Sequence, residues 1–317
     1  ARRSDVRGRA NTVAARVLPA LVLAWATGWI AIASAAGIPR DEQRWVTGFA
    51  RSLQEYMKRI ESDAPLPFHD FSGRTFRYAA TVGAQGRKVR VRLSNEQETR
   101  ELVIGDATIA VVGQESAARP LTWGGYRRGT APAGAPLLSD PVDLSVQPGQ
   151  QVVVSLYFPE HFVPEHQTSA AAASGLWGDG KSRTNAQYTA VGNFVSQPGV
   201  AATPTAINPV LTGIEVLPDA AWTSVMVYGA SRAAGFESWP NRLVERAAKR
   251  RIAIANASNG ATGLYRAPFL QNELARFDRD ILARPNVTYV VLQTGGDDVV
   301  WAGLSMENVD HVGGRLT

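Results

Sequence analysis

The feature that most constrains the fold is an uncharged apolar run, Ser-Val-Met-Val-Tyr-Gly at 224–229, which ends on a glycine and is soon followed by Ser231. A run of this kind is typical of a strand buried on both faces, as in a parallel sheet. Gly229 permits a sharp turn at the end of the strand. Ser231 then lies near the start of a helical pattern, where backbone N–H groups favour negative charge. The arrangement suits a catalytic serine, but it also describes βα turns that carry no chemistry.

The second half of the chain alternates between apolar strands and helices. Strands are predicted at 224–229, 252–256 and 287–293, with one helix starting near Ser238 and another over 270–283. This alternation predicts a parallel βαβαβ sheet. Functional sites of such sheets gather at the carboxyl ends of the strands.

The first half shows a different pattern. Apolar residues at helical spacing predict an amphipathic helix over 45–60. Strict alternation of basic and apolar residues over 88–93 predicts a half-buried antiparallel strand. Further strands at 102–112 and 151–158 indicate a β-sandwich. The segment 160–208, rich in Ala, Ser, Gly and Thr, is interpreted as loops or a linker.

Together these patterns predict a mixed fold class, a β-sandwich followed by an α/β parallel-sheet domain. Three parallel strands leave one sheet edge open, so we expect the second domain to be truncated at its carboxyl end or covered by another chain. The predicted divisions are 1–36 as a leader, 37–65 as a helical lead-in, 66–160 as the β-sandwich, 161–208 as a loop or linker, and 209–317 as the α/β domain, with a strand at 210–217.

Composition and charge indicate an exported globular protein. The chain is 45% apolar and 19% charged, with a net charge of +5, but 1–36 holds five arginines against one acid. Beyond it stand 28 basic and 27 acidic residues, so the body lacks the basic face that nucleic-acid binding needs. The basic start, the uncharged stretch at 17–39 and the small residues at 33–35 predict a secretory signal peptide, with an uncleaved anchor as the alternative. Zero cysteines exclude a disulfide framework and a thiolate metal site, and we expect a secreted, periplasmic or cell-envelope bacterial protein.

Several short motifs occur together in a fixed order. Gly-Ala-Ser at 229–231 precedes Trp-Pro-Asn at 239–241, Asn-Ala-Ser-Asn-Gly-Ala at 256–261, Ala-Arg-Phe-Asp-Arg-Asp at 275–280 and Gly-Gly-Asp-Asp at 295–298. In this order they resemble the sequence blocks of the SGNH, or GDSL-type, serine ester hydrolases, in particular exported two-domain bacterial members with an amino-terminal β-sandwich. The segments of the first half that also resemble this subgroup are 89–95 and 139–144.

The resemblance implies a flavodoxin-like SGNH domain that hydrolyses carboxylic esters, including acetyl or acyl groups on carbohydrate, without a cofactor or metal. It places Ser231 at the position of the nucleophile. The oxyanion hole would consist of the backbone N–H of Ser231, that of Gly260 or Ala261, and the side chain at Asp297, with Asp298 in support. Donors fixed where charge develops contribute about 3–4 kcal/mol each. The expected partner is a small ester or acylated carbohydrate, not nucleic acid, with membrane contact only through an uncleaved leader.

The chain departs from the family pattern at Asp297, where the family has an asparagine. An ionised carboxylate only accepts hydrogen bonds and would repel an oxyanion. A protonated Asp297, with its pKa raised by burial, would instead donate one.

The catalytic base is a second departure, because the family's Asp-x-x-His pair does not follow the third block. His311 is expected to be a tail residue, and His69 a loop or strand-edge residue. His161 and His166 flank Pro164, which argues against a metal-binding helix and favours a solvated loop. We therefore expect a weakly active or inactive chain. The alternatives are a non-catalytic glycan- or ester-binding protein and a fragment of an active enzyme.

Overall fold

The structure is a computed structural model, and it describes residues 45–55, 70–163, 167–168, 186–205, 208, 210–234, 238–260, 262–265 and 271–299. All of these residues fall within one compact unit. The leader predicted at 1–36 lies outside these residues. The signal peptide and the uncleaved anchor therefore both stay predictions. Within the described ranges, no helix combines the length and the apolar character needed to cross a membrane.

The described part of the chain is mostly β-structure with few helices. Its strands are β1 (Val46–Ala50), β2 (Gln54–Glu55), β3 (Arg74–Thr81), β4 (Gly86–Asn95), β5 (Leu102–Ile104), β6 (Asp106–Val111), β7 (Arg119–Pro120), β8 (Gly129–Ala131), β9 (Ala135–Leu138), β10 (Val142–Val146), β11 (Gln151–Phe158), β12 (Gln167–Thr168), β13 (Ala186–Val191), β14 (Ala202–Thr205), β15 (Leu211–Leu217), β16 (Thr223–Gly229), β17 (Ile252–Asn256) and β18 (Val287–Gln293). Its helices are α1 (Trp239–Ala248) and α2 (Glu273–Phe277), the latter continued by a π-helical turn over Asp278–Leu282, and a short 3-10 turn spans Glu115–Ala117.

Two large antiparallel sheets share one hydrophobic core. The first has the order β1-β15-β4-β10, with β9 also beside β4, and the second has the order β14-β13-β3-β11-β6-β7. Alternate residues of β4 and β11, such as Val91 and Val154, are fully buried in this core. Antiparallel sheets are therefore present where the alternating pattern predicts them.

The other face of β4 differs from the prediction of a half-buried strand. Arg90 and Arg92 are only 8% and 5% exposed. Arg90 pairs with Glu215 of β15, and its guanidinium carbon lies 4.5 Å from the centre of the Trp45 ring. Arg90 and Arg92 are buried because each has an acidic partner, Glu215 and Glu96 respectively, which the alternation of the sequence cannot reveal.

The helix predicted over 45–60 is wrong for the part that the structure describes, because 46–50 forms strand β1. Val46 lies opposite Val216 of β15 and Phe49 lies opposite Ile214, with a register shift between them. The bulge makes a spacing of three residues in β1 equal to a spacing of two in β15. Apolar residues at what resembles helical spacing therefore face one side of a strand.

The loop or linker predicted over 161–208 is also wrong in part, since β13 and β14 belong to the second sheet. β13 pairs with β3 and β14, and the Tyr188 ring stacks on Phe76 with centroids 5.7 Å apart. Small polar residues gave no strand period here, but pairing with a distant strand fixes the conformation. The predicted strand at 210–217 is β15, which lies between β1 and β4; the chain thus enters the parallel sheet only at β16.

The predicted parallel strands are confirmed, with the order β17-β16-β18. β16 pairs in parallel with both neighbours, and Met226, Val227 and Tyr228 at its centre are almost completely buried. Ser238 is the N-cap residue of α1 as expected, but its hydroxyl makes no capping hydrogen bond to the helix. The wider flavodoxin-like SGNH arrangement of the domain stays a prediction.

Strand β18 forms one edge of this sheet, and on its outer side it has no partner strand within the described ranges. Tyr289 and Leu292 are 62% and 56% exposed, although they are large and apolar. The open edge expected from three parallel strands is therefore present in the described part of the chain.

Candidate active site

Ser231 lies just beyond the carboxyl end of the central strand β16, and its side chain is exposed. Gly229 has φ +153°, and a Cβ added there would lie 2.1 Å from the backbone oxygen of Gln293. Only glycine allows β16 to pass this close to β18. The backbone N–H of Ala230 then donates to the same oxygen at 2.9 Å, which fixes the position from which Ser231 projects.

Replacing Gly229 by alanine is expected to lower the free energy of unfolding by at least about 1–3 kcal/mol, because the residue would be strained and would clash with β18. Urea denaturation of Gly229→Ala measures this loss. Gly199→Ala is the matched control, since nothing lies within 4 Å of a Cβ at that position. Equal stabilities of the two variants would contradict the proposed close approach.

The second sequence block meets Ser231 directly. The backbone N–H of Asn259 donates to the Gly229 carbonyl oxygen at 2.9 Å. An ideal Cβ on Gly260 would lie 3.7 Å from the Cβ of Ser231. Two of the residues assigned to the oxyanion hole are therefore neighbours in space. Ala261, the alternative donor, lies outside the described residues.

Asn256, at the carboxyl end of β17, positions both loops, a role that we did not predict. Its side-chain nitrogen donates to the Ala233 carbonyl oxygen at 2.7 Å, and its side-chain oxygen accepts from the backbone N–H of Ser258 at 3.0 Å. One amide thus joins the turn that follows Ser231 to the second block. The position of a polar residue at the end of an apolar strand was the available signal.

Asp298 holds a neighbouring loop and is only 8% exposed. Its carboxylate accepts hydrogen bonds from the backbone N–H groups of Leu264 at 2.6 Å and Tyr265 at 2.9 Å. Two backbone bonds to one buried carboxylate fix a loop firmly. The side chain therefore stabilises the segment that follows the second block.

Asp297 has a different environment from its neighbour. Its Oδ2 atom is buried and has no hydrogen-bond partner among the described residues. Burial raises the pKa of the Asp297 carboxyl, and the negative charge of Asp298 raises it further. A neutral carboxyl carries an O–H donor, which an ionised one lacks. Both effects shift the equilibrium of Asp297 toward the protonated form relative to an exposed aspartate.

A third acid, Glu273 at the start of α2, was not predicted to belong to this region. It is 1% exposed, and burial raises the pKa of its carboxyl, with Asp298 adding to the rise. The Thr262 hydroxyl lies 3.4 Å from Oε1 of Glu273. The backbone N–H of Glu273 donates to the Gly263 carbonyl oxygen at 3.0 Å. The charge of Asp298 therefore disfavours the ionisation of both Glu273 and Asp297.

Below the site, a buried ion pair joins distant parts of the chain. Arg276 donates to Asp280 at 3.1 Å, to the Ser52 hydroxyl at 2.9 Å and to the Ala257 carbonyl oxygen at 3.3 Å. Ser52 in turn donates to Asp280. This cluster connects the segment after β1 to the loop that carries Gly260, so it supports the site from beneath.

Only one of the four histidines lies in the described part of the chain, and it does not contact Ser231. The Nδ1 atom of His161 lies 3.4 Å from the Ser72 hydroxyl and 4.0 Å from Asp70. His69, His166 and His311 lie outside the described residues. The described ranges contain no group of three or more His, Cys, Asp or Glu side chains that could hold a metal ion.

Comparison with known proteins gives weak likenesses. No family model matches the chain, and no curated protein matches it. The protein YxiM from Bacillus subtilis is 15% identical, with a TM-score of 0.23, over 74% of this chain and 50% of its own. A family two carbohydrate esterase from Clostridium thermocellum, solved in complex with cellohexaose, is 13% identical with a TM-score of 0.22, over 78% of this chain and 67% of its own. The chain spans half the length of YxiM, and TM-scores of this size establish no common fold.

Proposed function

We propose that the chain is a serine ester hydrolase of the SGNH type, with Ser231 as its nucleophile. One observation carries the proposal: the exposed serine at the end of the central parallel strand has Gly260 against it, with 3.7 Å between their Cβ positions. A hydroxyl that attacks from this position would lie beside a backbone segment of the kind that stabilises an oxyanion. The order of the motifs along the chain supports the same reaction.

In this reaction the Ser231 hydroxyl oxygen attacks the carbonyl carbon of an ester, and its proton passes to a base. The carbonyl oxygen becomes an oxyanion that the backbone N–H groups near Ser231 and Gly260 stabilise, together with the protonated carboxyl of Asp297. The alcohol then leaves with a proton, and a water molecule hydrolyses the acyl-enzyme to release the acid. Asp298 and Asn256 act as positioning residues for the two loops.

The proposed substrates are small carboxylic esters, including acetyl or acyl groups on carbohydrate. Because Ser231 is exposed, it is accessible to an ester group carried on a larger molecule. Export to the bacterial envelope or medium belongs to the proposal and depends on the sequence of the leader alone.

A second candidate is a binding protein that holds such esters or glycans without cleaving them. The observation that favours it is that no described histidine or carboxylate forms a hydrogen bond with the Ser231 hydroxyl. Without a base, serine remains a weak nucleophile. We accordingly expect slow turnover.

Hydrolysis of p-nitrophenyl acetate by the purified chain tests the catalytic proposal. Ser231→Ala is expected to lower the rate to that of buffer, about tenfold or more below wild type. Ser145→Ala is the matched control, because Ser145 is an exposed serine of β10 and should leave the rate unchanged. Equal rates of Ser231→Ala and wild type would contradict the proposal that the chain is a serine esterase. The binding protein predicts such equal rates together with retained affinity for acetylated oligosaccharides.

A further inference from the structure

We propose that a cavity between β4, β15 and the turn after α2 binds the carboxylate or phosphate group of a small organic anion, with Arg284 as its principal ligand. The cavity has a volume of about 390 Å³ and is lined by Arg90, Arg92, Arg284 and Glu215, together with proline and leucine side chains. Its lining residues belong neither to the Ser231 region nor to the family motifs of the second half. The proposal is therefore independent of the proposed esterase activity.

Arg284 is buried without a full set of partners. It is only 5% exposed, and its Nε atom donates to the Asp280 carbonyl oxygen at 3.2 Å. Its two terminal nitrogens, Nη1 and Nη2, have no hydrogen-bond partner in the part of the chain that the structure describes. A buried guanidinium with unsatisfied donors is unfavourable unless an acceptor reaches it.

The backbone of β15 leaves room for this guanidinium. A Cβ added at Gly213 would lie 2.7 Å from Nη1 of Arg284, so any other residue would displace it. The glycine lets the planar group lie close to the strand, and Arg284 is one of the residues that line the cavity. The planar fork is thereby held beside the cavity.

The carboxylates around Arg284 are already paired with other arginines. Those that act on its charge are Glu96, Glu215 and Asp280. Their partners are Arg92 for Glu96, Arg90 for Glu215, and Arg276 with Arg279 for Asp280. Arg284 is thus the guanidinium for which none of these three carboxylates is the ion-pair partner, and the cavity carries an excess of positive charge.

The positive charge persists at neutral pH. Burial lowers the pKa of Arg284 to about 10, and the nearby charge of Arg92 adds to the decrease. The group still remains protonated under ordinary conditions. An incoming anion would therefore meet a charged donor.

The ligand class follows from this geometry. Two terminal nitrogens of a guanidinium match the two oxygens of a carboxylate or phosphate, and such pairs are among the strongest hydrogen-bonded contacts in proteins. Leu138 and Leu282 are partly exposed at 39% and 66%, and they line the same cavity. They offer apolar contact to the body of the ligand, and the volume suits a small molecule.

Thermal unfolding in chloride buffer of constant ionic strength, with inorganic phosphate or benzoate added in separate arms, tests the site. Wild type is expected to show a saturable rise in Tm of roughly 5 °C at a hundredfold excess over Kd in at least one arm. The phosphate arm alone would identify a phosphate site, and the benzoate arm alone a carboxylate site with an apolar body.

Arg284→Met is expected to lose the ligand-induced shift while unfolding in chloride no earlier than wild type, since it removes an uncompensated buried charge. Arg87→Met, which removes an exposed arginine paired with Asp219, should keep the shift. Leu138→Glu, a change at a partly exposed wall of the cavity, should also abolish it, and this variant decides the matter if Arg284→Met fails to fold. No response of wild type beyond chloride, or an equal response of Arg284→Met or Leu138→Glu, overturns the proposal.

Discussion

Asp297→Asn is expected to raise kcat/KM for p-nitrophenyl acetate by about 10²–10³-fold at mildly alkaline pH, which is the effect of one oxyanion-hole donor. The amide donates a hydrogen bond at every pH, whereas the carboxyl donates only while it is protonated. The Oδ2 atom of Asp297 is buried without a hydrogen-bond partner among the described residues, and the pKa of its carboxyl is raised. We therefore propose that the charge state of this side chain limits the reaction.

The direction of the pH dependence follows from the raised pKa. Below the pKa of Asp297, wild type carries the neutral donor and should match the asparagine variant. As pH rises through that pKa, wild type loses the donor and places a negative charge beside the oxyanion. The ratio of variant to wild-type kcat/KM should therefore increase as pH rises through the pKa of Asp297 and then level off, which rate profiles from acid to mildly alkaline pH measure. A ratio that stays constant from acid to alkaline pH contradicts the role of Asp297.

The stability of the same variant provides a measurement that does not depend on activity. A carboxyl whose pKa is raised in the folded state stabilises the fold relatively less as pH rises above its ordinary value of about 3.9. Asp297→Asn should therefore have a higher Tm than wild type at neutral pH, and the difference should vanish in acid. A lower Tm at neutral pH would indicate instead that the ionised carboxylate stabilises the fold.

Asp298→Asn is the matched control for both measurements, because it makes the same chemical change one residue away. Its carboxylate accepts two backbone hydrogen bonds, and an amide offers only one acceptor oxygen. This variant should lose stability and gain no activity. An equal gain in activity from Asp298→Asn would show that removal of negative charge, rather than a donor at Asp297, raises the rate.

The parallel strands were the part of the fold that the sequence predicted best. β17 and β18 have the predicted bounds, because each is an apolar run bounded by residues that end a strand. Strand β1 could not be predicted from the sequence, since its bulge gave the apolar residues a helical spacing. Whether 46–50 is helix or strand is decided by pairing with β15, more than 160 residues away in the chain.

The candidate site was predictable in position but not in electrostatics. The motifs placed Ser231 and Gly260 in one region, and the structure brings them together. The burial that raises the pKa of Asp297 depends on residues that no local pattern identifies. The same holds for Ser52, which bonds to a helix residue 228 positions away, and for Arg284, whose excess charge follows from the pairing of its neighbours.

Asp280→Ala is expected to lower the free energy of unfolding by about 3–5 kcal/mol, the usual effect of removing one partner of a buried ion pair. Asp280 is 1% exposed and Arg276 is completely buried, so the variant leaves a buried guanidinium without its counterion. It also removes the acceptor of the Ser52 hydroxyl, which weakens the connection between the segment after β1 and the loop carrying Gly260. Urea denaturation at neutral pH measures the loss.

Two further measurements distinguish the effect of the buried cluster from a general effect of charge. One is the pH dependence of this stability loss, and the other is the same substitution in a surface ion pair. Burial alone would raise the pKa of Asp280, but the charges of Arg279 and Arg276 outweigh it and the pKa is lowered. The stabilisation by Asp280 is therefore complete above the ordinary pKa of about 3.9 and is lost as pH falls through the lower folded value, so the difference between wild type and Asp280→Ala should narrow in acid. Asp219→Ala, which breaks the exposed pair with Arg87, should cost at most about 1 kcal/mol. Similar losses from the two variants would mean that the buried cluster does not hold the loop of the candidate site in place.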